Sequence, residues 1–184
     1  MTEMNILGKI RGFSFNPAKE FAAAKEDTLG DAFKYYALLL AVLAAILAIV
    51  VTAVVLMLGL PGIGKFAPLL GAGAFVGIIG AGILAAIYIA VWLHIWVYLF
   101  GGRKGLKQTA KAITYGSTPC LVLGWVPGPN IIIAPIWSLL LVISGVMELH
   151  ELSPGMAILA VIIAILAPLI IVGAVAAILV PTML

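Results

Sequence analysis

The charged residues of this chain lie in a few short patches, and the apolar sequence between them contains no Lys, Arg, Asp or Glu. Four such stretches cover residues 35–64, 66–102, 112–147 and 152–184. A charged side chain at the centre of a bilayer costs about 2.5–3.5 kcal/mol on insertion scales, whereas a helix of about 20 apolar residues spans the hydrocarbon core. The pattern therefore predicts an all-α, polytopic membrane helical bundle.

Helix lengths and turn signals divide these stretches into five predicted transmembrane helices. As one helix, the third stretch would be roughly 54 Å long against a core of about 30 Å. Its middle, residues 127–130, reads Pro-Gly-Pro-Asn, which is a strong turn signal. The five predicted helices cover residues 36–58, 70–100, 106–126, 131–147 and 154–180. The alternative is four spans, with the third stretch forming a re-entrant hairpin.

The ten Lys and Arg residues predict the orientation. Five precede the first span, Lys65 alone lies in the first loop, and four lie in the second loop, so alternating sides divide them nine against one. The positive-inside rule then places the N-terminus and the second loop in the cytoplasm. We expect a multi-pass protein of the plasma membrane, with a cytoplasmic N-terminus and, for five spans, an extracytoplasmic C-terminus.

The N-terminal residues 1–34 are predicted as an amphipathic cytoplasmic segment, distinct from the five-helix domain of residues 35–184. Thr28 and Asp31 have capping-box spacing just before the first span. Apolar residues in this segment (Ile6, Leu7, Ile10, Phe13, Phe15 and Phe21) are interleaved with Lys9, Arg11 and Lys19. That pattern suits a helix lying on the membrane surface. A folded cap over the helix ends is the alternative, and the two are compatible.

Composition supports the membrane assignment and excludes several classes of protein. With 65% hydrophobic and 9% charged residues and a mean hydropathy of +1.29, the chain lies outside the range of soluble domains. Its net charge of +3 is concentrated beside predicted spans, so no nucleic-acid partner is expected. The single cysteine, Cys120, excludes an intramolecular disulfide framework and a cysteine-based metal site.

Three short motifs follow one another from the second loop onward: the Gly-Gly and basic loop of residues 101–107, the Tyr-x-x-x-Pro of residues 115–119 and the Glu-Leu-His-x-Leu-Ser of residues 148–153. In this order they resemble the Yip1-domain family. Near the front, residues 17–21 are similar to the family's Pro-x-x-x-Phe element. The resemblance implies five transmembrane helices, a cytoplasmic N-terminus and a short C-terminal tail on the far side.

Eukaryotic relatives of that family are associated with vesicle trafficking and with prenylated Rab-type GTPases. The chain lacks their long soluble N-terminal region and their Asp-Leu-Tyr-Gly-Pro type motif. It therefore resembles the short, prokaryotic form of the family.

The basic loop is the leading candidate site. On a helix, Lys104, Lys107 and Lys111 fall at i, i+3 and i+7, which forms one stripe at the cytoplasmic interface. Such a stripe attracts anionic lipid headgroups at about 1 kcal/mol per cation. The predicted partners are membrane lipids with anionic headgroups, or a protein at the cytoplasmic face. The alternative is that these lysines only fix the topology.

A second candidate is an intramembrane polar patch formed by Tyr115, Ser117 and Thr118 around Pro119. Proline leaves a backbone carbonyl one turn earlier without its helical donor, and nearby hydroxyls can satisfy it. The alternative is that these side chains line a small polar cavity between helices.

His94 lies among aromatic residues near the cytoplasmic end of the second predicted helix. A neutral, hydrogen-bonded histidine at the interface is expected there, and a proton relay is the alternative. Glu148, His150 and Glu151 could suggest metal ligation, but three positions within four residues cannot all point one way on a helix. No metal site and no cofactor are therefore predicted.

Small residues at every fourth position follow the second predicted helix: Gly73, Gly77, Ala81 and Ala85. Such a ridge permits close helix contact, either inside the bundle or in a homodimer.

The expected function is non-enzymatic, because the sequence contains no Gly-x-Ser-x-Gly or zinc motif and no Asp or Glu within any predicted span. We expect a scaffold or a membrane-organising, trafficking-like factor that acts through its cytoplasmic face. The alternative is a small channel, transporter or lipid-moving protein that uses the polar patch around Pro119.

Overall fold

The computed structural model describes residues 5–59 and 61–179, and all regular structure in this part of the chain is helical. The first four residues of the predicted N-terminal segment, the last residue of the predicted fifth helix and the C-terminal tail lie outside the described residues. The helices are α1 (Ile6–Phe15), α2 (Pro17–Ala23), α3 (Leu29–Met57), α4 (Ala67–Leu99), α5 (Leu106–Gly116), α6 (Thr118–Leu123), α7 (Ile133–His150) and α8 (Pro154–Leu179). A short 3-10 turn, Gly64–Phe66, precedes α4.

Four of the described helices are long and apolar enough to cross a membrane: α3, α4, α7 and α8. The helix α3 begins at Leu29, earlier than predicted, because the capping box before it forms. The Thr28 hydroxyl accepts from the Asp31 N–H at 3.1 Å, and the Asp31 carboxylate accepts from the Thr28 N–H at 3.2 Å. The capping-box prediction is therefore confirmed.

The third predicted helix, residues 106–126, is not one helix, and this prediction is corrected. The chain is divided at Ser117 into α5 and α6. Pro119 lies in the first turn of α6, where its missing N–H is tolerated, whereas inside a continuous helix it would clash with the preceding turn. At about 1.5 Å per residue, neither α5 nor α6 alone reaches across a core of about 30 Å. The count of five spans therefore remains a prediction.

One end of the bundle collects most of the helix termini near the basic loop, and we call it the basic end. There α3 begins, α4 ends, α5 begins, α7 ends and α8 begins. The ends of α4 and α7 pack closely there, since a Cβ placed on Gly102, just after α4, would lie 3.0 Å from His150 Nδ1 at the end of α7. Across the bundle, the Tyr36 hydroxyl donates to the Gly82 carbonyl at 2.9 Å and holds α3 against α4.

The N-terminal helices α1 and α2 pack onto the bundle, α1 beside α6 and α2 beside α7. Phe13 of α1 and Phe21 of α2 are completely buried, with ring centroids 4.9 Å apart. Leu7 and Phe15 remain exposed. These contacts support the folded-cap interpretation of this segment, and contact with the membrane surface stays a prediction.

Candidate functional site

Two lysines of the predicted stripe lie exposed where α5 begins. Lys104 Nζ is 2.6 Å from a carboxylate oxygen of Glu151, and Lys107, the second residue of the helix, is exposed. Lys111 lies on the same helix but is only 3% exposed. The three lysines therefore do not form one surface stripe, and the prediction is corrected to a pair of surface lysines.

Lys111 instead binds the C-cap of α2 and the turn that follows it. Its Nζ donates to the backbone carbonyls of Ala24, Lys25 and Asp27 at 2.9, 3.0 and 3.1 Å. The last carbonyls of a helix have no partner within it, and a cation there also interacts favourably with the helix dipole. One side chain of α5 thus satisfies three carbonyls at the end of the N-terminal cap.

The Asp27 carboxylate makes a second connection between the cap and the bundle. It lies 2.5 Å from Lys9 Nζ and accepts a hydrogen bond from the Tyr115 hydroxyl. Lys9 Nζ also lies 4.9 Å from the centroid of the Tyr115 ring, within the range of a cation–π contact. Asp27 and Lys9 were not identified as site residues, because their partner Tyr115 is far away in the sequence.

Tyr115 is the centre of a buried aromatic cluster that fills the predicted polar patch. The Phe13 ring stacks on it at 4.4 Å between centroids, and the Tyr35 ring lies at 5.4 Å. The Thr118 hydroxyl donates to the Tyr115 carbonyl at 2.6 Å. Because the hydrogen of the Thr118 hydroxyl is already used in this bond, Thr118 accepts from the Tyr35 hydroxyl, 3.0 Å away.

The remaining polar atoms around Pro119 are also used within the protein. The Ser117 hydroxyl donates to the Ile113 carbonyl at 2.7 Å, and Thr118 and Pro119 are buried. The Tyr115 carbonyl, which loses its helical donor to Pro119, accepts from the Thr118 hydroxyl instead. This arrangement does not favour a path for solutes at Pro119.

His94 takes part in a hydrogen-bonded chain that joins three helices. His94 Nδ1 lies 2.8 Å from the Thr109 hydroxyl, which lies 2.9 Å from His150 Nε2. Thr109 and His150 are buried. The chain links α4, α5 and α7, and it could not be predicted, because no local pattern relates residues 15 and 41 positions apart.

Glu151, beside His150, pairs with lysines and not with the histidine. Glu151 pairs with Lys104 and also with Lys25, whose Nζ lies at 3.3 Å, on the surface of the basic end. His150 faces the interior instead. Among the described residues, no group of three His, Cys, Asp or Glu side chains is arranged to hold a metal ion.

An apolar groove of about 670 Å³ lies between α3, α4 and α5. Its walls come from Leu29, Phe33, Ile87, Ala90, Val91, Leu106 and Ala110, with Gly105 in the turn before α5. Lys104 and Lys107 are the charged residues of its lining. The surface lysines predicted from the sequence thus border a cleft that the sequence did not indicate.

The small-residue ridge of α4 faces outward. A Cβ on Gly73 or Gly77 would meet no atom within 4 Å, and Ala81 and Ala85 are exposed. The alternative of packing inside the bundle is therefore wrong. A homodimer through this ridge stays a prediction.

Comparison with known proteins agrees with the resemblance noted in the sequence. The family model described as the Yip1 domain matches residues 11–177, which is nearly the whole chain. Searches of the curated proteins and of the solved structures found no match. The matched region includes the second half of α1, all of α2, the groove and the four spans that are long enough to cross a membrane. The chain therefore belongs to the Yip1 domain family of membrane proteins.

Proposed function

We propose that this chain is a non-enzymatic membrane protein that organises anionic lipids through its basic end, which faces the cytoplasm. The observation that carries the proposal is the construction of that end. Two N-terminal helices are fixed onto the bundle by buried contacts, and basic side chains are left exposed around them.

The orientation rests on charge. Nine of the ten basic residues lie within residues 9–34 and 103–111, whereas Lys65 lies in the turn between α3 and α4 at the end opposite the basic end. The positive-inside rule favours a cytoplasmic basic end. In this proposal α5 and α6 together make the fifth crossing as a broken helix in the plasma membrane. The break in the helix at Ser117 is tolerable in a membrane because the flanking residues Gly116 and Thr118 are buried in the protein.

The exposed cations supply the interaction. Arg11, Lys19, Lys34 and Lys107 are all exposed. Each basic residue near an anionic membrane surface contributes about 1 kcal/mol of attraction. The Lys111 cap and the Asp27 contacts hold α1 and α2 in place, so these charges keep fixed relative positions. A fixed group of cations at headgroup level would concentrate anionic lipids around the protein.

Lipid clustering in proteoliposomes tests the proposal. The protein is reconstituted into phosphatidylcholine vesicles containing a minor fraction of fluorescently labelled phosphatidylglycerol, and self-quenching reports local enrichment. The wild type should increase quenching, and the combined variant Lys19→Glu, Lys34→Glu and Lys107→Glu should abolish the increase. Lys65→Glu is the matched control, because it reverses a charge at the opposite end.

Two results would contradict the proposal. One is a wild type that produces no enrichment at low ionic strength. The other is a triple variant that clusters phosphatidylglycerol as well as the Lys65→Glu control does. Selective recovery of an acidic protein with no lipid enrichment would indicate a protein partner instead.

A further inference from the structure

We infer that the groove between α3, α4 and α5 binds one phospholipid with an anionic headgroup, its phosphate at Lys104 and Lys107 and an acyl chain along α4. The inference deepens the proposed function, on which it rests for the position of the basic end at a lipid headgroup layer. It differs in naming a single site of defined stoichiometry.

The groove has the dimensions and depth that such a ligand requires. Its volume of about 670 Å³ falls within the range of roughly 300–1,000 Å³ typical of small-molecule sites. Ile87, on its wall, precedes the end of α4 at Leu99 by twelve residues. At about 1.5 Å per residue the groove therefore reaches roughly 18 Å below the end of that helix.

The chemistry of the lining changes along this depth. The walls formed by α3 and α4 are apolar, and the two lysines of the lining come from the start of α5 and the turn before it. A ligand complementary to both parts is an amphiphile with a negative head and a hydrocarbon tail. A free anion such as glycerol 3-phosphate would leave the apolar walls unfilled, and a zwitterionic lipid would gain less from the lysines.

Selectivity should come from the lysines and not from the tail. A lipid tail is already in an apolar medium before it enters the groove, so the transfer contributes little. One lysine near the surface favours an anionic over a neutral headgroup roughly fivefold, and two favour it roughly 30-fold. The groove determines where the lipid is held.

Glu151 competes with the lipid for Lys104. Its carboxylate lies 2.6 Å from Lys104 Nζ, and the pair is exposed to solvent. In the wild type, Lys107 and a partly neutralised Lys104 should therefore give a preference on the order of tenfold. Glu151→Gln should raise that preference toward roughly 30-fold, because it frees the second ammonium.

The experiment counts bound lipid. Full-length protein is released from nanodiscs of phosphatidylcholine and phosphatidylglycerol, and native mass spectrometry measures how many molecules of each remain. Val91→Trp fills the groove. Ile162→Trp is its control, since Ile162 is exposed on α8, eight residues from the start of that helix, as Val91 is eight residues from the end of α4.

The wild type and Ile162→Trp should each retain one phosphatidylglycerol, and Val91→Trp should lose it at least fivefold. The pair Lys104→Gln and Lys107→Gln should keep one lipid but lose the preference for phosphatidylglycerol. Added glycerol 3-phosphate should not displace the bound lipid. Equal retention by Val91→Trp and Ile162→Trp would overturn the inference, as would a preference that survives removal of both lysines.

This result can be separated from the test of the proposed function. One retained lipid without clustering in vesicles would support the site and refute the wider organising role. Clustering with equal retention by both tryptophan variants would do the reverse.

Discussion

Replacing Lys111 by methionine should release the N-terminal cap. Methionine keeps a long unbranched side chain but removes the three hydrogen bonds to the end of α2. Ala24 is 1% exposed, so its carbonyl would be left without a partner at a cost of about 1–3 kcal/mol. Water can reach the carbonyls of the partly exposed Lys25 and Asp27. Relief from burying an ammonium group offsets part of the loss.

After this offset, a net loss of about 1–2 kcal/mol should raise the population of detached cap roughly 5- to 30-fold. Glutamyl endopeptidase reports that population by cutting after Glu20, a residue within α2 that must leave its helix to enter the protease. With a low protease concentration, the cleavage rate follows the opening equilibrium. The cut at Glu20 is followed separately from any cut at exposed Glu26.

Lys107→Met is the matched control, because it removes an exposed lysine from the same helix and should change stability by less than about 0.5 kcal/mol. Tyr115→Phe, which removes only the hydroxyl bonded to Asp27, should accelerate the cut in the same direction but less. If Lys111→Met is cut no faster than Lys107→Met, Lys111 does not hold the cap and the reasoning fails.

Three other predictions follow from contacts in the bundle. Gly116→Ala should be about 1–3 kcal/mol less stable in detergent than Gly77→Ala. A Cβ at position 116 would lie 3.0 Å from the Val142 nitrogen, whereas a Cβ at position 77 meets no atom within 4 Å. Equal unfolding temperatures would contradict this. Hydrogen bonds from Lys104 and Lys25 hold the pKa of Glu151 below its ordinary value of 4.5, so their stabilising effect is present above pH 4.5 and is lost as the pH falls through the lowered pKa. The stability difference between wild type and Glu151→Gln should therefore shrink to zero in acid, and a difference independent of pH would exclude this origin. A C-terminal phosphatase reporter should be active only outside the cell, since α8 begins at the basic end and leads away from it; cytoplasmic activity would refute the proposed topology.

The membrane helices were predictable because one physical requirement determines them. A segment that crosses the hydrocarbon core must exclude charge, and charge-free runs make up most of α3, α4, α7 and α8. The break between α5 and α6 had a visible signal in Pro119. Its consequence was missed, because a proline in a long apolar stretch is compatible with either a kinked helix or two short helices.

The role of Lys111 could not be read from the sequence. Helical spacing correctly groups residues on one face, but it does not tell which element packs on that face. The partners of Lys111 are backbone carbonyls more than 80 positions earlier, and backbone groups have no sequence signature. The same limit applies to Thr109, whose two histidine partners come from different helices.

The helix α5 contributes both to the contacts that hold the cap and to the lining of the groove, and its sequence alone does not separate the two roles. Lys111 and Tyr115 hold the cap, whereas Lys107 and Ala110 line the groove, so neighbouring strips of one helix contact different partners. Lys111→Met should therefore release the cap without changing retention of phosphatidylglycerol, because no groove residue is altered. Val91→Trp should remove the bound lipid from the groove without accelerating cleavage at Glu20. If each variant instead changed both measurements, α5 would move as a rigid unit, and cap docking and lipid binding would be thermodynamically coupled.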